Sequence, residues 1–516
     1  MTGTFLPQGV IDDLDGDLSS SRTAHARVTA PFTGEKLHDL PHSSAEDVAD
    51  AAERARAAQV AWHLAGFAHR KAVLLKAHDL ILERRELLLD AVQTETGKTR
   101  GQAFEEVFQS ANVARYYAVS ARRALASRSR RGGIPLVIRT RVSYRPKGLI
   151  GVVTPWNYPL SLAAMDVLPA LAGGNAVIQK ADDQGALSIL ALRRAFLDAG
   201  LPPEVWAIVA GPGGIVGNAV NDATDYICFT GSTATGIQVG IRAAEGLRGA
   251  SLELGGKNPM IVLADVDPAK AARDAVYACF SSLGQLCVSI ERIYVDRTIA
   301  NEFTKEFVAR TAALKQGAAF DYSTDIGSLT LPSQLERVAE HVDDAVAHGA
   351  TVLTGGRARP DLGPLFYEPT VLAGVTDAMK CSGNETFGPV VAITPVDGAA
   401  EAILAANASP FGLNASIFAR STRRAREVAR TLEAGSININ EGYRATFSSV
   451  DAPMGGIKQS GLGRRNGPEG LLRFMDSHTT SEATGLMALP RTGVDVAKLG
   501  GIMLLLLRIL KGIRRR

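Results

Sequence analysis

S-L-E-L-G-G-K-N-P-M-I-V (251–262) and F-S-S-L-G-Q-L-C (280–287) are the two blocks around which the chain is organised. The first offers a carboxylate, Glu253, and the second offers a thiol, Cys287, each among small residues that leave room for a ligand. A cysteine reacts as its thiolate, and a nearby carboxylate can act as a base toward the thiol or toward water. The alternative is that Cys287 is a small buried hydrophobic residue, which is the usual state of a free cysteine.

The histidines do not favour a cysteine–histidine pair. None of the nine lies between His78 and His341. His341 and His348 fall in the amphipathic helical pattern L-E-R-V-A-E-H-V-D-D-A-V-A-H-G, which predicts a surface position for both. A reactive Cys287 would therefore depend on a carboxylate and oriented amides, which argues against peptide hydrolysis.

Composition is that of a soluble globular protein with room for two large domains: 516 residues, of which 46% are apolar and 21% charged. The small net charge of +3 argues against a nucleic-acid role. The four cysteines form no C-x-x-C or Cys/His pattern, so we expect no metal site, and free thiols suit a reducing compartment. The first residues are acidic and include no apolar signal core, which predicts a cytoplasmic protein.

Helical periodicity dominates the first part of the chain, after a polar, turn-rich leader (1–43) that is expected to lie loosely over the surface. Ser44 followed by Asp47 marks a helix start. The basic run 121–133 predicts an exposed loop, with phosphate binding as the alternative. Residues 138–145 alternate apolar and polar side chains, which is typical of a strand with one wet face.

From residue 148 onward, short apolar runs rich in β-branched residues alternate with helical stretches. Strands buried on both faces have this composition, and the alternation predicts an α/β protein with parallel, doubly wound sheets. We interpret the chain as two α/β domains whose boundary lies near 253–259. Glu253 and Cys287 would then face a cleft between the domains, a common place for a ligand.

G-S-T-A-T-G (231–236) follows a predicted strand and opens a predicted helix. Glycines and a hydroxyl at a helix N-terminus can hold a pyrophosphate, because free N–H groups and the helix dipole favour an anion. The block is not a Walker loop, since Ile237 stands where lysine is needed, and it is not G-x-G-x-x-G. A plain strand–helix turn fits the spacing equally well.

Together with G-V-V-T-P-W-N-Y-P (151–159), E-T-F-G-P-V-V (385–391) and P-M-G-G-I-K-Q-S-G-L-G-R (453–464), these blocks resemble the aldehyde dehydrogenase superfamily in content, order and spacing. The resemblance implies the aldehyde dehydrogenase-like fold, with two Rossmann-type α/β domains and a β arm that joins subunits into a homodimer or homotetramer. It also implies NAD(P)+ as cofactor. The limits expected are 1–127 with 147–253 for the NAD(P)-binding domain, 254–452 for the catalytic domain, 128–146 with 468–482 for the arm, and 493–516 for a C-terminal tail.

The cofactor contacts are implied residue by residue. The pyrophosphate would lie against Gly231 and Ser232, and the nicotinamide ribose and ring against Glu385 and Phe387. Further contacts are implied for Thr154, Pro155, Trp156 and Leu254.

The adenosine ribose would contact Lys180 and Asp183, which without the resemblance are simply exposed loop charges. The family usually has glutamate where Asp183 stands. A carboxylate hydrogen-bonds a 2′-hydroxyl and repels a 2′-phosphate, so Asp183 favours NAD+. The branch of the family that this chain most resembles favours NADP+ instead.

The resemblance also implies a two-step mechanism. Cys287 attacks the aldehyde carbon, and the thiohemiacetal oxyanion is held by the Asn157 amide and the Cys287 N–H. Hydride transfer leaves a thioester, which a water activated by Glu253 hydrolyses to a free acid. Without the resemblance, Asn157 is interpreted as a turn residue. Ser282, where the family commonly has asparagine, is expected to alter packing only.

Within the superfamily the chain resembles the actinobacterial succinate-semialdehyde dehydrogenase branch, through blocks such as L-F-Y-E-P-T-V-L and G-R-R-N-G-P-E-G-L-L. Better-known enzymes of that name carry an arginine where this chain has Met165. Arg444 could replace it in binding a carboxylate, whereas Arg292 more readily supports its own strand. The alternatives are a medium- or long-chain aliphatic aldehyde, and a catalytically silent oligomeric scaffold, which the intact catalytic set argues against.

The C-terminal tail (496–516) carries six basic residues and no acid. Its uninterrupted apolar run, 502–507, is far shorter than the ~20 residues of a spanning helix. On a helix, Arg508 and Lys511 fall on one face while Leu506 and Leu510 fall on another, which suits the surface of an anionic membrane. The alternative is a helix packed on the enzyme or across a subunit contact.

Overall fold

The computed structural model describes residues 6–21, 23–132, 137–486 and 491–512. By compactness the chain divides into two bodies, Met1–Ala124 with Pro146–Met475 and Leu125–Arg145 with Asp476–Arg516. The domain limits drawn from the sequence stay a prediction.

The N-terminal region is a set of helices with one antiparallel strand pair, β1–β2. Its elements are α1 (Gln8–Asp15), β1 (Ala24–Thr29), β2 (Lys36–His42), α2 (Ala45–Leu64), α3 (Gly66–Glu83), α4 (Arg85–Thr96) and α5 (Arg100–Ala124). Helix α2 begins where the sequence predicts: Asp47 N–H donates to the Ser44 hydroxyl at 3.1 Å, and Ser44 N–H donates to the Asp47 carboxylate at 2.8 Å.

The expectation of a loosely packed leader is wrong. Ile11, Val28 and Leu40 are completely buried, and the ring of His38 meets Asp15 at 2.8 Å in the interior. The leader contributes one apolar face of a short sheet, so its polar composition reflects the other face.

The first parallel sheet has the strand order β19-β9-β8-β5-β6-β7. Its strands and the helices between them are β5 (Leu149–Thr154), α6 (Pro159–Gly173), β6 (Ala176–Ala181), α7 (Ala186–Asp198), β7 (Trp206–Ala210), α8 (Asn218–Ala223), β8 (Tyr226–Thr230), α9 (Thr233–Glu245) and β9 (Gly249–Glu253). The short strand β19 (Gly461–Leu462) returns late in the chain and pairs antiparallel with β9. The strands β5 to β8 are nearly all buried, which confirms the prediction of a parallel sheet.

The second sheet has the order β12-β13-β14-β11-β10-β16-β17, parallel except for β12. Its part of the chain contains β10 (Asn258–Val262), α10 (Pro268–Phe280), β11 (Ile290–Asp296), α11 (Ala300–Ala312), α12 (Pro332–Ala347), β12 (Thr351–Thr354), β13 (Thr370–Ala373), α13 (Lys380–Gly383), β14 (Val390–Val396), α14 (Gly398–Asn407), β15 (Phe411–Gly412), β16 (Asn414–Phe418), α15 (Thr422–Ala429), β17 (Ser436–Ile439), α16 (Arg444–Phe447), β18 (Ile457–Lys458) and α17 (Gly467–Leu472). The last core strand of the first sheet ends at Glu253, and the second sheet begins at Asn258.

The other compact body is a sheet of order β20-β4-β3 followed by a helix. Its elements are β3 (Arg128–Arg131), β4 (Ile138–Pro146), β20 (Met475–Ala483) and α18 (Gly493–Gly512). The basic run predicted as a loop is thus partly strand, because β3 pairs antiparallel with β4. Among the described residues, no helix has the length and apolarity that crossing a membrane requires.

Candidate active site

Ten of the residues singled out from the sequence line one cavity of about 240 Å³. They are Pro155, Trp156, Asn157, Gly231, Ser232, Glu253, Leu254, Cys287, Glu385 and Phe387. The cavity lies where β5, β8 and β9 end, and where the loop before β11 and the loop before β14 meet. This is the carboxyl edge of the first sheet, the usual ligand position in open α/β sheets.

Cys287 follows a tight turn, Ser281–Gly284, and precedes β11. Ser282 and Leu283 have left-handed backbone conformations, with φ of 48° and 54°. Asparagine tolerates this conformation better than serine does, which gives a physical reason for the family's preference at that position. The Ser282 hydroxyl instead meets the Tyr158 hydroxyl at 2.8 Å.

Cys287 as a whole residue is partly exposed, and its backbone is fixed: the Asn258 side-chain amide donates to the Cys287 carbonyl at 2.8 Å. Burial and the nearby carboxylates of Glu385 and Glu253 raise the pKa of the thiol to about 12. The thiol therefore needs a base in order to react near neutral pH.

Glu253 ends β9 beside the glycine-rich segment that contains β19. Leu254 N–H donates to the Ser460 carbonyl at 3.0 Å, and a Cβ at Gly461, whose φ is +147°, would meet the Leu252 carbonyl at 2.2 Å. Glycine is thus required where this backbone crosses β9. Burial raises the pKa of Glu253 to about 7, against the opposing charge of Arg465, and its Oε1 has no hydrogen-bond partner among the described residues.

Asn157 is buried in the turn between β5 and α6. Its side-chain amide donates to the Gln285 carbonyl at 2.9 Å, two residues before Cys287. One amide hydrogen is engaged there, which leaves the second available to a ligand oxygen.

The loop from Glu385 to Phe387 forms another wall. Gly256 N–H donates to the Glu385 carboxylate at 2.8 Å, and burial raises the pKa of Glu385 to about 8. Glu291 accepts the N–H groups of Thr386 and Phe387 at 3.0 and 2.9 Å. This holds the Phe387 ring edge-on to Trp156, with 5.7 Å between the ring centroids.

Helix α12 supplies wall residues that the sequence did not identify. Gln334 donates to the carbonyls of Thr386 and Phe387 at 2.9 and 2.6 Å, and Arg337 lines the cavity. The predicted surface position of His341 is wrong: its ring is buried and meets the Thr386 hydroxyl at 3.0 Å, whereas His348 is exposed. A helical pattern shows which side is polar but does not show that a loop covers part of that side.

Thr154, Lys180 and Asp183 lie outside this cavity lining, at the ends of β5 and β6 and just after β6. The Thr154 hydroxyl accepts from the Gln179 amide at 2.8 Å, and Lys180 is buried. The carboxylate of Asp183 meets the ring of His42 at 3.0 Å, a partner that the sequence did not suggest.

The residues present fit a dinucleotide. Helix α9 begins directly after Ser232, so its first N–H groups face the end of β8. The unpartnered buried oxygen of Asp183 and the protonatable carboxylate of Glu385 offer positions for ribose hydroxyls. Among the described residues, no cluster suited to a metal ion occurs.

The model of the aldehyde dehydrogenase family matches residues 18–480. The chain belongs to the aldehyde dehydrogenase family. A relative from Mycolicibacterium smegmatis, provisionally named a succinate-semialdehyde dehydrogenase that uses NADP+, is 47% identical over 94% of this chain and 93% of its own. A relative with the same provisional assignment from Mycobacterium ulcerans is 48% identical over 93% of this chain and 92% of its own.

Solved structures of aldehyde dehydrogenases agree with the fold. The enzyme from Bacillus cereus has a TM-score of 0.88 at 30% identity and covers 93% of this chain and 100% of its own. A betaine aldehyde dehydrogenase from Staphylococcus aureus, solved with NAD+, has a TM-score of 0.86 at 29% identity and covers 93% and 98%. This aldehyde dehydrogenase is therefore an NAD(P)+-dependent oxidoreductase that acts on aldehydes.

A second cavity, of about 640 Å³, shares no lining residue with the first. Its wall includes Phe104, Phe108, Phe447 and Arg444. Phe447 packs edge-on against Tyr158, the residue after Asn157, with ring centroids 6.3 Å apart.

Of the arginines considered for a substrate carboxylate, only Arg444 lines this cavity. Arg444 is exposed, pairs with Glu441 at 2.9 Å, and its guanidinium carbon lies 4.1 Å from the Tyr277 ring centroid. Arg292 is buried and donates to the carbonyls of Lys257 and Ala406, so it supports its strand as expected. Met165 is completely buried in α6.

Proposed function

We propose that this enzyme oxidises succinate semialdehyde to succinate with NAD(P)+. The substrate assignment rests on Arg444, a cation on the wall of an aromatic cavity beside Tyr158. An arginine can bind a carboxylate through two parallel hydrogen bonds. The names of the relatives support the same substrate.

The proposed reaction uses three side chains, those of Cys287, Asn157 and Glu253. The Cys287 sulfur bonds to the aldehyde carbon and its proton passes to solvent water, while the second Asn157 amide hydrogen and the Cys287 N–H hold the oxyanion. A nicotinamide held by Glu385 and Phe387 would supply the hydride acceptor, and loss of hydride from the thiohemiacetal would leave a thioester on Cys287. Glu253 then takes a proton from water, hydroxide adds to the thioester carbonyl, and the carboxylic acid and the thiol are released.

The second candidate substrate is a medium- or long-chain aliphatic aldehyde. The aromatic side chains of Phe104, Phe108 and Phe447 favour it, since an apolar chain would be buried among them.

A panel of succinate semialdehyde, butanal and octanal separates the two. We expect the highest kcat/KM for succinate semialdehyde, and Arg444→Gln should lower that value about tenfold or more without affecting butanal, because a hydrogen bond to a charged group contributes about 1.5–3 kcal/mol. Cys287→Ala should abolish oxidation of all three and still bind the cofactor. A preference for octanal that Arg444→Gln leaves unchanged would favour the aliphatic substrate, and retained turnover in Cys287→Ala would refute the nucleophile.

We also propose that the enzyme is a cytoplasmic homodimer or homotetramer whose C-terminal helix α18 contacts an anionic membrane surface. All four cysteines are free thiols, which suits a reducing compartment. Leu504, Leu505 and Leu507 on α18 are each more than half exposed. The exposed apolar side chains and the basic residues Arg508 and Lys511 suit a helix that lies among lipid headgroups.

Co-sedimentation with vesicles of phosphatidylglycerol and phosphatidylcholine tests this contact. We expect binding that weakens with salt and is lost when residues 499–516 are deleted, while aldehyde oxidation in solution is retained. Vesicles of phosphatidylcholine alone are the control. Equal sedimentation of the full-length and truncated enzymes would show that α18 is a packing element instead.

A further inference from the structure

Lys98 is a buried lysine close to the active site that the mechanism above does not use. It lies in the turn between α4 and α5, directly after Gly97, and its side chain is 3% exposed. Its ammonium donates to the Glu106 carboxylate at 2.5 Å and to the Asn157 backbone carbonyl at 2.7 Å. It also lies 3.6 Å from the ring centroid of Tyr158. Burying an ammonium is costly unless its hydrogen bonds are made, and these partners make them.

Glu106 extends the same contact to helix α6. Its second carboxylate oxygen accepts the N–H groups of Leu160 and Ser161 at 2.9 and 3.1 Å. The turn that carries Asn157 is therefore held at its carbonyl by Lys98 and at the following helix start by Glu106. On its other side, the Asn157 amide is held by the Gln285 carbonyl.

A comparison within the molecule shows that capping a helix does not need this lysine. Glu95 caps α7 in the same way, accepting the N–H groups of Leu187 and Ser188 at 2.8 and 2.7 Å. Glu95 is also fully buried, and the described residues give it no ammonium partner. Lys98 thus adds something that the cap alone does not require, and among the described residues the backbone group that accepts from its ammonium is the carbonyl of Asn157.

We propose that Lys98, held by Glu106, is a positioning residue. It fixes the backbone of Asn157 so that the side-chain amide of Asn157 points at the reacting carbonyl. The proposal rests on the role of Asn157 in the proposed function. An oxyanion donor is effective when it is oriented before the reaction, because no free energy is then spent on reorienting it. A charged donor to the Asn157 backbone carbonyl fixes that peptide plane more firmly than a neutral donor would.

Three variants test the proposal in the full-length enzyme: Lys98→Met, Asn157→Ala and the double variant. Methionine keeps the length of the side chain and its packing on Tyr158 but removes the ammonium. We expect Lys98→Met to slow the pre-steady-state burst of NADH by about 10- to 100-fold, with Asn157→Ala costing about 10²–10³. Because Lys98 acts through Asn157, the double variant should be no slower than Asn157→Ala alone. The dissociation constant for NAD+, measured separately, should not change.

The controls separate positioning from folding. Glu95→Gln weakens the matched cap of α7 and should lower the melting temperature while leaving the burst rate unchanged. Lys98→Met/Glu106→Gln removes both charges, so no uncompensated carboxylate is left if Lys98→Met alone folds poorly, and it should show the same slow burst. An unchanged burst in the folded Lys98 variants, or a double variant with Asn157→Ala slowed by the full extra factor, would overturn the proposal. A normal burst in Asn157→Ala would refute the oxyanion role itself, and the positioning role with it.

Discussion

The thiol of Cys287, the proposed nucleophile, lies in surroundings that favour its protonated form. Burial and two carboxylates raise the pKa of Cys287 to about 12, so the thiolate is scarce at neutral pH. Burial also raises the pKa of Glu253 to about 7, which makes it partly ionised there and suitable as a general base. The same buried surroundings thus disfavour the thiolate of Cys287, which the proposed attack requires, and give Glu253 a pKa that suits a general base.

Replacing Glu253 by glutamine tests the base. If Glu253 activates the deacylating water, Glu253→Gln should give a burst of NADH followed by turnover that is slower by about 10²-fold or more. In the wild-type enzyme, kcat should rise as the pH increases through about 7, since only the carboxylate is a base. Stopped-flow traces and a pH–rate profile measure both effects. Unchanged steady-state turnover in the variant would assign the base to another group.

The same variant has a consequence for stability. The pKa of Glu253 is raised from 4.5 to about 7 in the folded protein, so its contribution is fully present below pH 4.5 and is lost as the pH rises through 7. Glu253→Gln has no charge to bury, and it should therefore melt at a higher temperature than the wild type at pH 8. At pH 5 the difference should nearly vanish. A lower melting temperature at pH 8 would mean that the ionised carboxylate is stabilised by groups that this account omits.

At the scale of elements, the sequence predicts best what is buried on both sides. Strands β5, β6 and β8 are mostly apolar and almost entirely buried, because helices cover both faces of a parallel sheet. Strand β9, which carries Glu253, begins at the exposed Gly249, and its outer partner β19 comes about two hundred residues later. No local pattern encodes such a pairing, so this part of the site needed the structure.

The loop after β6 gives a prediction about the cofactor. Asp183, whose carboxylate lies 3.0 Å from the ring of His42, should disfavour the 2′-phosphate of NADP+. We expect usable NAD+ in the wild type, and Asp183→Ser should raise kcat/KM for NADP+ about tenfold relative to NAD+, which corresponds to about 1.4 kcal/mol. His42→Gln, which keeps the carboxylate, is the matched control and should retain the wild-type preference. A strong preference for NADP+ in the wild type would show that Asp183 does not discriminate.

At the scale of the whole molecule, the sheet β20-β4-β3 has no fully buried face among the described residues. The side chains of β3 and all of β20 after Met475 are exposed, and β4 is at most half-buried. The sequence predicts one solvent-exposed face for residues 138–145, because alternating apolar and polar side chains indicate that the other face is buried. What covers it cannot be derived from one chain, since an interface between subunits is surface in each of them.

Strand β20 gives the last prediction, because it is a long exposed edge. A strand at the edge of a sheet can pair through its backbone with a strand of another chain. Light scattering should give a multiple of the 54.5 kDa chain mass for the wild type. Thr479→Pro and Thr480→Pro form a matched pair, since neighbouring N–H groups of a strand point to opposite sides and proline removes one of them. The proline on the outer side should lower the assembly mass while the protein stays folded, and the proline facing β4 should lower the melting temperature. A monomeric wild type, or an unchanged mass in both variants, would show that β20 does not join subunits.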